Sequence, residues 1–419
     1  MKISACVITK NESENIRRCL ESIKSITNEI VVVDTGSTDN TVEIAESLGA
    51  KVYFYDWDNN FSNAKNYALD KATGDWIIFL DADEYFAENT PRNLIRILNS
   101  INNKSYDAVL YKIIHTEGLN GRIIAENPTI RTFRGHNRIR YYGAVHEQPL
   151  NRENTLYAAN ITDYPLVIYH TGYSSVILPE KVKRNLAIMK EEIAKNNITD
   201  LTYYYMSSMN NNLGNSEEAI EYALLALKEP AFHKTIMAYQ PYVFIIDNML
   251  KLKEKYTSDE IEKYINEAVS HYPTHPEIWY AVGNARREQG DYIAAIESYR
   301  NALEYNKKFK LLLNNNFPAR LEYVYYYMAE MYKKTGDSVK ALENYFESLK
   351  INKHNFDAIK GLYALIKDQE PVEIILFLNS IYDKKDKTDL VFLNTAMADL
   401  GNSVLANYYY EQYEKNSHD

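Results

Sequence analysis

Short apolar runs alternate with amphipathic stretches along the first 80 residues of this chain. Each run ends in a polar turn, which is the pattern of strands buried on both faces of a parallel sheet. The first stretch between runs carries Leu20, Ile23 and Ile26 at helical spacing. Strands are predicted at 3–9, 29–33, 51–55 and 76–80, with the later helices at 41–48 and 61–72. The alternation predicts an α/β domain in which helices cover a parallel sheet.

The pattern changes after residue 170. Further strands are predicted at 106–114, 128–134, 139–142 and 166–170, and only helical periodicity follows from Leu178. Residues 276–306 fit the tetratricopeptide pattern, and weaker copies surround Gly214, Gly336 and Gly401. The side chains expected to pack within these weaker copies are Ala219, Ala226, Ala341, Tyr345, Ala406 and Tyr410. We therefore predict an α/β domain at 1–176 and an all-α, tetratricopeptide-like domain at 177–419.

Composition and charge exclude several classes of partner. The net charge of −10 argues against general binding to nucleic acid or to an anionic membrane surface. No apolar run reaches the roughly 18–20 residues of a membrane span, and Met1 to Ser4 lead into a strand without a signal-peptide core. The two cysteines, Cys6 and Cys19, are too few for a disulfide framework and suggest buried, reduced thiols. We expect a cytoplasmic protein without a membrane span.

Polar side chains recur where the predicted strands end. Thr9 and Asn11 follow the first strand, Asp34 the second, Asp56 the third, and Asp81 and Asp83 the fourth. Ligands of parallel sheets bind beyond the carboxyl ends of the strands, so these groups are expected to share one site. A solvated acidic turn is the alternative for Asp81 and Asp83 taken alone.

The chemistry of this edge favours a nucleotide held through a divalent cation. No G-x-x-x-x-G-K-[ST] loop is present, and no G-x-G-x-x-G follows the first strand, which removes most support for ATP hydrolysis or nicotinamide chemistry. Carboxylates repel a diphosphate unless a cation bridges them. Asp34 and Asp81 would then contact base and ribose, and Asp83 the cation. Lys65 is either a positive charge near base or phosphates or a surface lysine.

Four motifs in this order resemble the family 2 glycosyltransferases of GT-A fold: N-E-S from Asn11, D-T-G-S-T-D-N-T from Asp34, F-S-N-A-K-N from Phe61 and D-A-D-E from Asp81. The resemblance implies a Rossmann-like GT-A domain that binds a nucleotide-diphospho-sugar. It implies that Asp34 contacts the base, Asp81 the ribose, and Asp83 a Mg²⁺ or Mn²⁺ ion. Many relatives have Arg at the position of Lys65. We assign nucleotide-sugar binding to Thr9, Asn11, Glu12, Asp34, Lys65, Asp81 and Ala82.

Two histidines near the end of the α/β domain are candidates for catalysis. His146 and Glu147 follow a small-residue turn, and His170 ends a predicted strand. A lone histidine is more often structural. The surrounding G-x-V-H-E-x-P and I-Y-H-x-G-Y elements resemble bacterial peptide S-glycosyltransferases that modify glycosylated bacteriocins. The resemblance implies an inverting enzyme in which His146 or Glu147 is the base, and it makes His170 a candidate metal ligand beside Asp83.

The acceptor has three alternative interpretations. The first is a peptide, glycosylated with glucose or a similar hexose from a UDP-sugar at Cys or Ser of a bacteriocin precursor. The second is a lipopolysaccharide or other saccharide acceptor, which related sequences use. The third is a repeat scaffold with an inactive nucleotide domain, which the intact Asp81, Asp83 and His146-Glu147 oppose. In the resembling enzymes the helical region supports a homodimer and a groove for the peptide, so both are expected here.

Overall fold

The computed structural model describes residues 1–102, 106–117, 123–135, 139–153, 156–172, 178–309 and 316–416. Its strands are β1 (Ile3–Thr9), β2 (Glu29–Asp34), β3 (Lys51–Phe54), β4 (Trp76–Asp81), β5 (Glu84–Phe86), β6 (Ala108–Thr116), β7 (Ile123–Arg134), β8 (Ile139–Tyr142), β9 (Gln148–Asn151), β10 (Ala158–Ala159) and β11 (Val167–His170). The helices that accompany them are α1 (Ile16–Lys24), α2 (Thr41–Ser47), α3 (Phe61–Lys71) and α4 (Thr90–Ile101).

The main sheet has the order β3-β2-β1-β4-β7-β6-β11-β5, with β10 paired to β6. Strands β3, β2, β1 and β4 are parallel, as predicted. Strand β7 is antiparallel to both β4 and β6, so the second half of the sheet is mixed. Strands β8 and β9 form a separate pair. The predicted α/β domain is confirmed, with a mixed rather than wholly parallel sheet.

The central strands are buried on both faces. Ala5 and Val7 of β1 belong to one apolar cluster with Val32, while Cys6 belongs to a second cluster with Val31. Helices α1 and α4 supply the first cluster, and α3 supplies the second. This explains the continuous apolar runs of the sequence, because a strand covered on both faces has no side chain free for water. Polar residues are thereby confined to the strand ends.

Four helices continue the chain after the last strand: α5 (Leu178–Ala194), α6 (Thr202–Leu213), α7 (Ser216–Ala226) and α8 (Gln240–Lys251). An apolar cluster joins Val182 and Leu186 of α5 and Met206 of α6 to Ala144 and Val145, the residues before His146. The chain forms two compact units. One consists of Met1–Lys255 with Lys310–Pro318, and the other of Tyr256–Phe309 with Ala319–Asp419. Element type changes between His170 and Leu178, and the domain boundary at 176/177 stays a prediction.

The second unit consists of helical hairpins. Its helices are α9 (Ser258–His271), α10 (Pro276–Glu288), α11 (Tyr292–Lys308), α12 (Leu321–Lys334), α13 (Ser338–Ile351), α14 (Phe356–Ile366), α15 (Pro371–Leu378), α16 (Lys387–Asp399) and α17 (Ser403–Lys415). Gly290, Gly336 and Gly401 lie at the turns of three hairpins with φ of 80°, 85° and 78°, where a side chain would be strained. Within the described ranges, none of the helices combines the length and apolarity that crossing a bilayer requires.

Candidate active site

Two unpartnered polar atoms mark the end of the central strands. Thr9 pairs in register with Asp34, and Ile8 with Asp81, so Thr9, Asp34 and Asp81 lie at the same end of the sheet. The Oδ1 atom of Asp34 accepts hydrogen bonds from the backbone N–H groups of Gly36 and Ser37, both at 2.9 Å. Its Oδ2 atom and the Oγ1 atom of Thr9 are buried without a partner in the described part of the chain. An unsatisfied buried group is costly, which suggests that a ligand completes this pair.

Asn11 and Glu12 support the neighbouring loops. Asn11 has a φ of 55°, and its Oδ1 atom accepts a hydrogen bond from the backbone N–H of Thr38 at 2.8 Å. The N–H of Glu12 donates to Thr41 Oγ1 at 2.8 Å. Burial raises the pKa of Glu12, although a hydrogen bond from Asn15 opposes the shift. Glu12 lines a cavity at the carboxyl ends of the strands, whereas Asn11 does not.

A cavity of about 570 Å³ opens at this edge. The predicted site residues that line it are Thr9, Glu12, Asp81, Ala82, Asp83, His146, Glu147 and His170. Asn11, Asp34 and Lys65 do not line it. Three further cavity residues, His115, Arg131 and Lys181, come from β6, β7 and α5 and were not predicted from the sequence. Most of the predicted residues are therefore brought together in one space.

Lys65 lies behind the cavity wall in an ion-pair network. Its ammonium contacts Asp81 Oδ1 at 2.8 Å and Glu147 Oε1 at 2.6 Å, and the residue is only 2% exposed. Burial acts to lower the pKa of Lys65, but the charges of Asp81 and Glu147 outweigh it and raise the pKa. The lysine therefore joins Asp81 to Glu147, whereas the sequence had suggested a contact with the nucleobase or the phosphates.

Arg131 forms ion pairs with Glu84 and Asp81. Its guanidinium holds both oxygens of Glu84, at 2.8 and 2.6 Å, and contacts Asp81 Oδ2 at 3.3 Å. Burial alone would raise the pKa of Asp81, but Lys65 and Arg131 lower it. The carboxylate of Glu84 is only 1% exposed, and a carboxylate buried to this extent needs a cation partner, which Arg131 supplies.

Asp83 lies between an imidazole and an ammonium. Its Oδ1 atom is 3.3 Å from His170 Nε2, and its Oδ2 atom is 3.1 Å from Lys181 Nζ. Burial would raise the pKa of Asp83, but these two neighbours hold it far below its usual range. Gly172 lies so close that a Cβ there would come within 1.9 Å of Asp83 Oδ2. The carboxylate is thus held between His170, Lys181 and the backbone of Gly172, and it stays ionised.

The second nitrogen of His170 contacts another histidine. His170 Nδ1 lies 2.8 Å from Nδ1 of His115, which is the partner of His170 in the parallel pairing of β6 and β11. Burial opposes the charge of His170, but hydrogen bonding to Asp83 raises its pKa. Burial, reinforced by His170, lowers the pKa of His115 to about 3.

Asp83 and His170 fit a hard divalent cation as part of a shared coordination shell. Among the described residues no group of three or more His, Cys, Asp or Glu side chains is arranged around a common metal position. Mg²⁺ in nucleotide sites is characteristically held by one or two protein ligands together with phosphate oxygens and waters. A carboxylate and an imidazole 3.3 Å apart suit this mode, and they also suit Mn²⁺.

His146 lines the same cavity and has a left-handed backbone conformation with a φ of 55°. Its ring stacks on Tyr205 of α6 at 3.8 Å between centroids and 8° between planes. Its Nε2 atom is buried without a partner in the described residues, and burial lowers the pKa of His146 to about 4. The imidazole is therefore neutral at physiological pH, with a ring nitrogen not committed to the protein.

Comparison with known proteins finds a family match in two segments of the chain. Residues 4–152 match the model described as glycosyl transferase family 2, and residues 276–309 match a tetratricopeptide repeat. The two matches confirm a family 2 glycosyltransferase domain at 4–152 and a tetratricopeptide repeat at 276–309, as inferred from the motifs.

Three curated relatives illustrate the similarity. The SPbeta prophage-derived glycosyltransferase SunS of Bacillus subtilis (strain 168) is 31% identical over 224 residues, 52% of each chain. A TPR repeat-containing protein of Synechococcus elongatus is 35% identical over 180 residues, 41% of this chain and 42% of that one. An uncharacterized glycosyltransferase of Rickettsia conorii is 33% identical over 183 residues, 43% and 56% of the two chains. The chain spans about half the length of the curated relatives it matches.

Proposed function

We propose that this chain, whose residues 4–152 are a family 2 glycosyltransferase domain, transfers a hexose from a UDP-sugar to a peptide side chain with inversion at the anomeric carbon. Glucose is the proposed sugar, and a cysteine thiol of a bacteriocin precursor is the proposed acceptor, with serine as the alternative nucleophile. The match of the domain supports glycosyl transfer in general. The finer assignments rest on the site and on the sequence motifs.

The observation that carries the donor assignment is the pair of unpartnered atoms at Thr9 and Asp34. Uracil presents one N–H donor flanked by two carbonyl acceptors. The free carboxylate oxygen of Asp34 can accept from that N–H, and the hydroxyl of Thr9 can donate to a neighbouring carbonyl. A site that leaves such groups unpaired discriminates strongly against a base that cannot pair with them. We therefore infer a uridine nucleotide rather than a purine one.

The diphosphate is proposed to bind beside Asp83 through Mg²⁺ or Mn²⁺. Asp83 and His170 would supply the protein ligands, and Asp81 would contact the ribose. When bound, the cation would neutralise the charge that develops on the leaving diphosphate. The protein's own contribution is to hold Asp83 ionised and fixed, through His170 on one oxygen and the close backbone of Gly172 on the other.

His146 is our choice for the base that takes the acceptor proton. Glu147 is committed to the ammonium of Lys65 at 2.6 Å, which makes it an anchor for the loop. His146 faces the cavity, is neutral, and keeps Nε2 without a partner in the described chain. A neutral imidazole within hydrogen-bond reach of the acceptor heteroatom can remove its proton as the bond to the sugar forms.

The peptide acceptor is supported by the motif around His146 and by the helical half of the chain. Tyr205 of helix α6 stacks on His146 and lines the cavity, which supports a contribution of this helix to the space where we propose that the acceptor binds. Repeat helices commonly provide extended surfaces for peptide partners. A homodimer and a cytoplasmic location are further expectations, which size-exclusion chromatography with light scattering and cell fractionation would test.

The test uses purified full-length protein, UDP-glucose and either Mg²⁺ or Mn²⁺. We expect slow release of UDP, which a chelator and the substitution Asp83→Asn both abolish. Asp163→Asn is the matched control, because Asp163 is exposed and lies outside the cavity. No UDP release by the wild type with any UDP-sugar, under conditions where the protein is folded, would contradict the proposed donor chemistry.

The acceptor is tested separately with peptides that differ at one residue. Glucose should be transferred to a Cys-containing peptide and, more slowly, to its Ser counterpart. Transfer only to a saccharide acceptor would favour the lipopolysaccharide alternative. Binding of UDP without turnover of any acceptor or of water would favour the inactive scaffold.

A further inference from the structure

Lys181 occupies the position beside Asp83 where positive charge is needed. Its ammonium lies 3.1 Å from Asp83 Oδ2, its side chain is about one-third exposed, and it lines the cavity. It comes from α5, outside the segment that matches the glycosyltransferase model. Resting on the proposed function, we propose that Lys181 binds the donor's diphosphate, and that it holds the carboxylate of Asp83 only until the cation and the nucleotide arrive.

The ammonium of Lys181 and a cation bound to Asp83 would repel each other. An ammonium on Asp83 Oδ2 and a divalent cation on the same carboxylate would be a few ångströms apart, where like charges repel strongly at any dielectric constant found in proteins. His170 already contacts the other oxygen, and Gly172 closes the space behind Oδ2. The carboxylate is held on both sides, whereas the side chain of Lys181 is about one-third exposed, so we expect the lysine to move.

The second step concerns where the ammonium goes. Lysine has a flexible four-carbon chain and three donors that adapt to different acceptors. A diphosphate with a sugar attached carries two negative charges and faces several acidic side chains here, which are Glu12, Asp81, Asp83 and Glu84. Its phosphate oxygens on the cation would lie within a few ångströms of the ammonium's present position. If the ammonium moves from Asp83 to a phosphate oxygen, Lys181 has a negatively charged partner both before and after the donor binds.

The third step compares the other cations of the described cavity lining. Arg131 is bound to Glu84 and Asp81, and Arg184 donates to Asn185. Lys10 follows β1, on the side of Thr9. Lys181 is therefore the lining cation whose partner is the proposed metal ligand, and whose release is coupled to cation binding.

The chain provides a matched control on the same helix. Lys183 lies two residues further along α5, faces outward with a 61% exposed side chain, and pairs with Glu180. Lys181→Met and Lys183→Met remove the same charge from the same helix. Mn²⁺ binding is measured without nucleotide by electron paramagnetic resonance of the free ion, and UDP binding by calorimetry at saturating Mn²⁺.

We expect opposite changes in the two affinities for Lys181→Met. Mn²⁺ alone should bind more tightly, because no ammonium competes for Asp83. UDP should bind roughly tenfold more weakly, the effect of one charge-assisted hydrogen bond. Lys181→Arg should restore most of the UDP affinity, and Lys183→Met should change neither.

The outcomes separate this inference from the proposed function. If the wild type binds no Mn²⁺ even with UDP, the proposed cation site is wrong. If the wild type binds both and Lys181→Met behaves like Lys183→Met, only the role of Lys181 is wrong. Unchanged UDP affinity with tighter Mn²⁺ binding would also overturn the assignment to the diphosphate.

Discussion

The imidazoles of His115 and His170 face each other with their Nδ1 atoms 2.8 Å apart. A hydrogen bond at this distance requires that one of the two atoms carries a proton and that the other accepts it. If a cation binds His170 at Nε2, then Nδ1 of His170 is the donor and Nδ1 of His115 the acceptor. His115 would then be a positioning residue, because it fixes the tautomer in which Nε2 of His170 carries the lone pair that a metal needs.

This relationship predicts different outcomes for two substitutions of His115. His115→Ala removes the acceptor and should weaken Mn²⁺ binding roughly tenfold or more, as losses of outer-shell partners do. His115→Asn provides a carbonyl oxygen near the former Nδ1 position and should retain most of the affinity. Titration of Mn²⁺ in the presence of UDP measures both, with exposed His233→Ala as control. Equal losses in the Ala and Asn variants would count against the hydrogen-bond role.

Lys65 is expected to matter for stability as well as for activity. Lys65→Met leaves Glu147 and Asp81 without the ammonium that both contact. Breaking a buried pair typically costs 3–5 kcal/mol, and we expect about 3 kcal/mol because Asp81 is partly exposed and keeps Arg131. Urea unfolding measures the change, and the double variant Lys65→Met/Glu147→Gln should recover part of it. If the single variant lowers the free energy of unfolding by less than about 1 kcal/mol, the ion-pair network contributes little to stability.

His146 should make the protein sensitive to moderate acid. Its pKa is lowered to about 4 by burial, whereas an unfolded histidine titrates near ~6.5. Between these values the unfolded chain binds one more proton, so the free energy of unfolding decreases as pH falls from about 6.5 to about 4, by some 2–3 kcal/mol in total. His115 contributes in the same direction.

The substitution that isolates the contribution of His146 is His146→Asn, because Asn tolerates the positive φ of this position. The slope of unfolding free energy against pH should become shallower between pH 4 and 6.5, while stability at pH 8 changes little. Urea titrations at five pH values provide the measurement. An unchanged slope would mean that the imidazole is not shielded from water in the folded protein.

The sequence predicted the parts of the site that local patterns determine. Asp34, Asp81 and Asp83 follow apolar runs, and a strand buried on both faces can place charge only at its end. The turn glycines of the repeats were equally visible, because a helix that ends in a left-handed residue favours Gly.

The missed residues depend on how distant segments pair. Arg131 reaches Glu84 because β7 runs antiparallel next to β4, and His115 reaches His170 because β6 and β11 are parallel neighbours. Neither pairing follows from hydrophobic periodicity. The packing of the last hairpin was also predicted one residue out of register. Tyr410 was expected inside but is 53% exposed, and Tyr409 is buried instead.

The loss of rate on removing the base should depend on whether the acceptor atom is the oxygen of Ser or the sulfur of Cys. A serine hydroxyl depends on a base, so His146→Asn should slow transfer to a Ser peptide by roughly 10²–10⁴-fold. A cysteine thiol titrates near ~8.5 and is strongly nucleophilic as the thiolate, so transfer to a Cys peptide should slow far less. Glu147→Gln should affect both peptides alike, if Glu147 positions the loop. Single-turnover rates on the paired peptides test this, and equal losses for His146→Asn would oppose its role as base.

The packing of the helical unit is testable at Gly361, where α14 meets a buried tyrosine of α13. A Cβ at Gly361 would lie 2.3 Å from Tyr345 Cζ, which is much shorter than a van der Waals contact. We expect Gly361→Ala to destabilise the second unit by about 1–3 kcal/mol, the usual cost of overpacking. Tyr345→Leu removes the ring, so adding Gly361→Ala to it should cost little and the double-mutant cycle should show strong coupling. Gly401→Ala is the control, because it has open space and tests only the strain of a positive φ. Additive losses at Gly361 and Tyr345 would mean that the glycine is not required for the approach of the two helices.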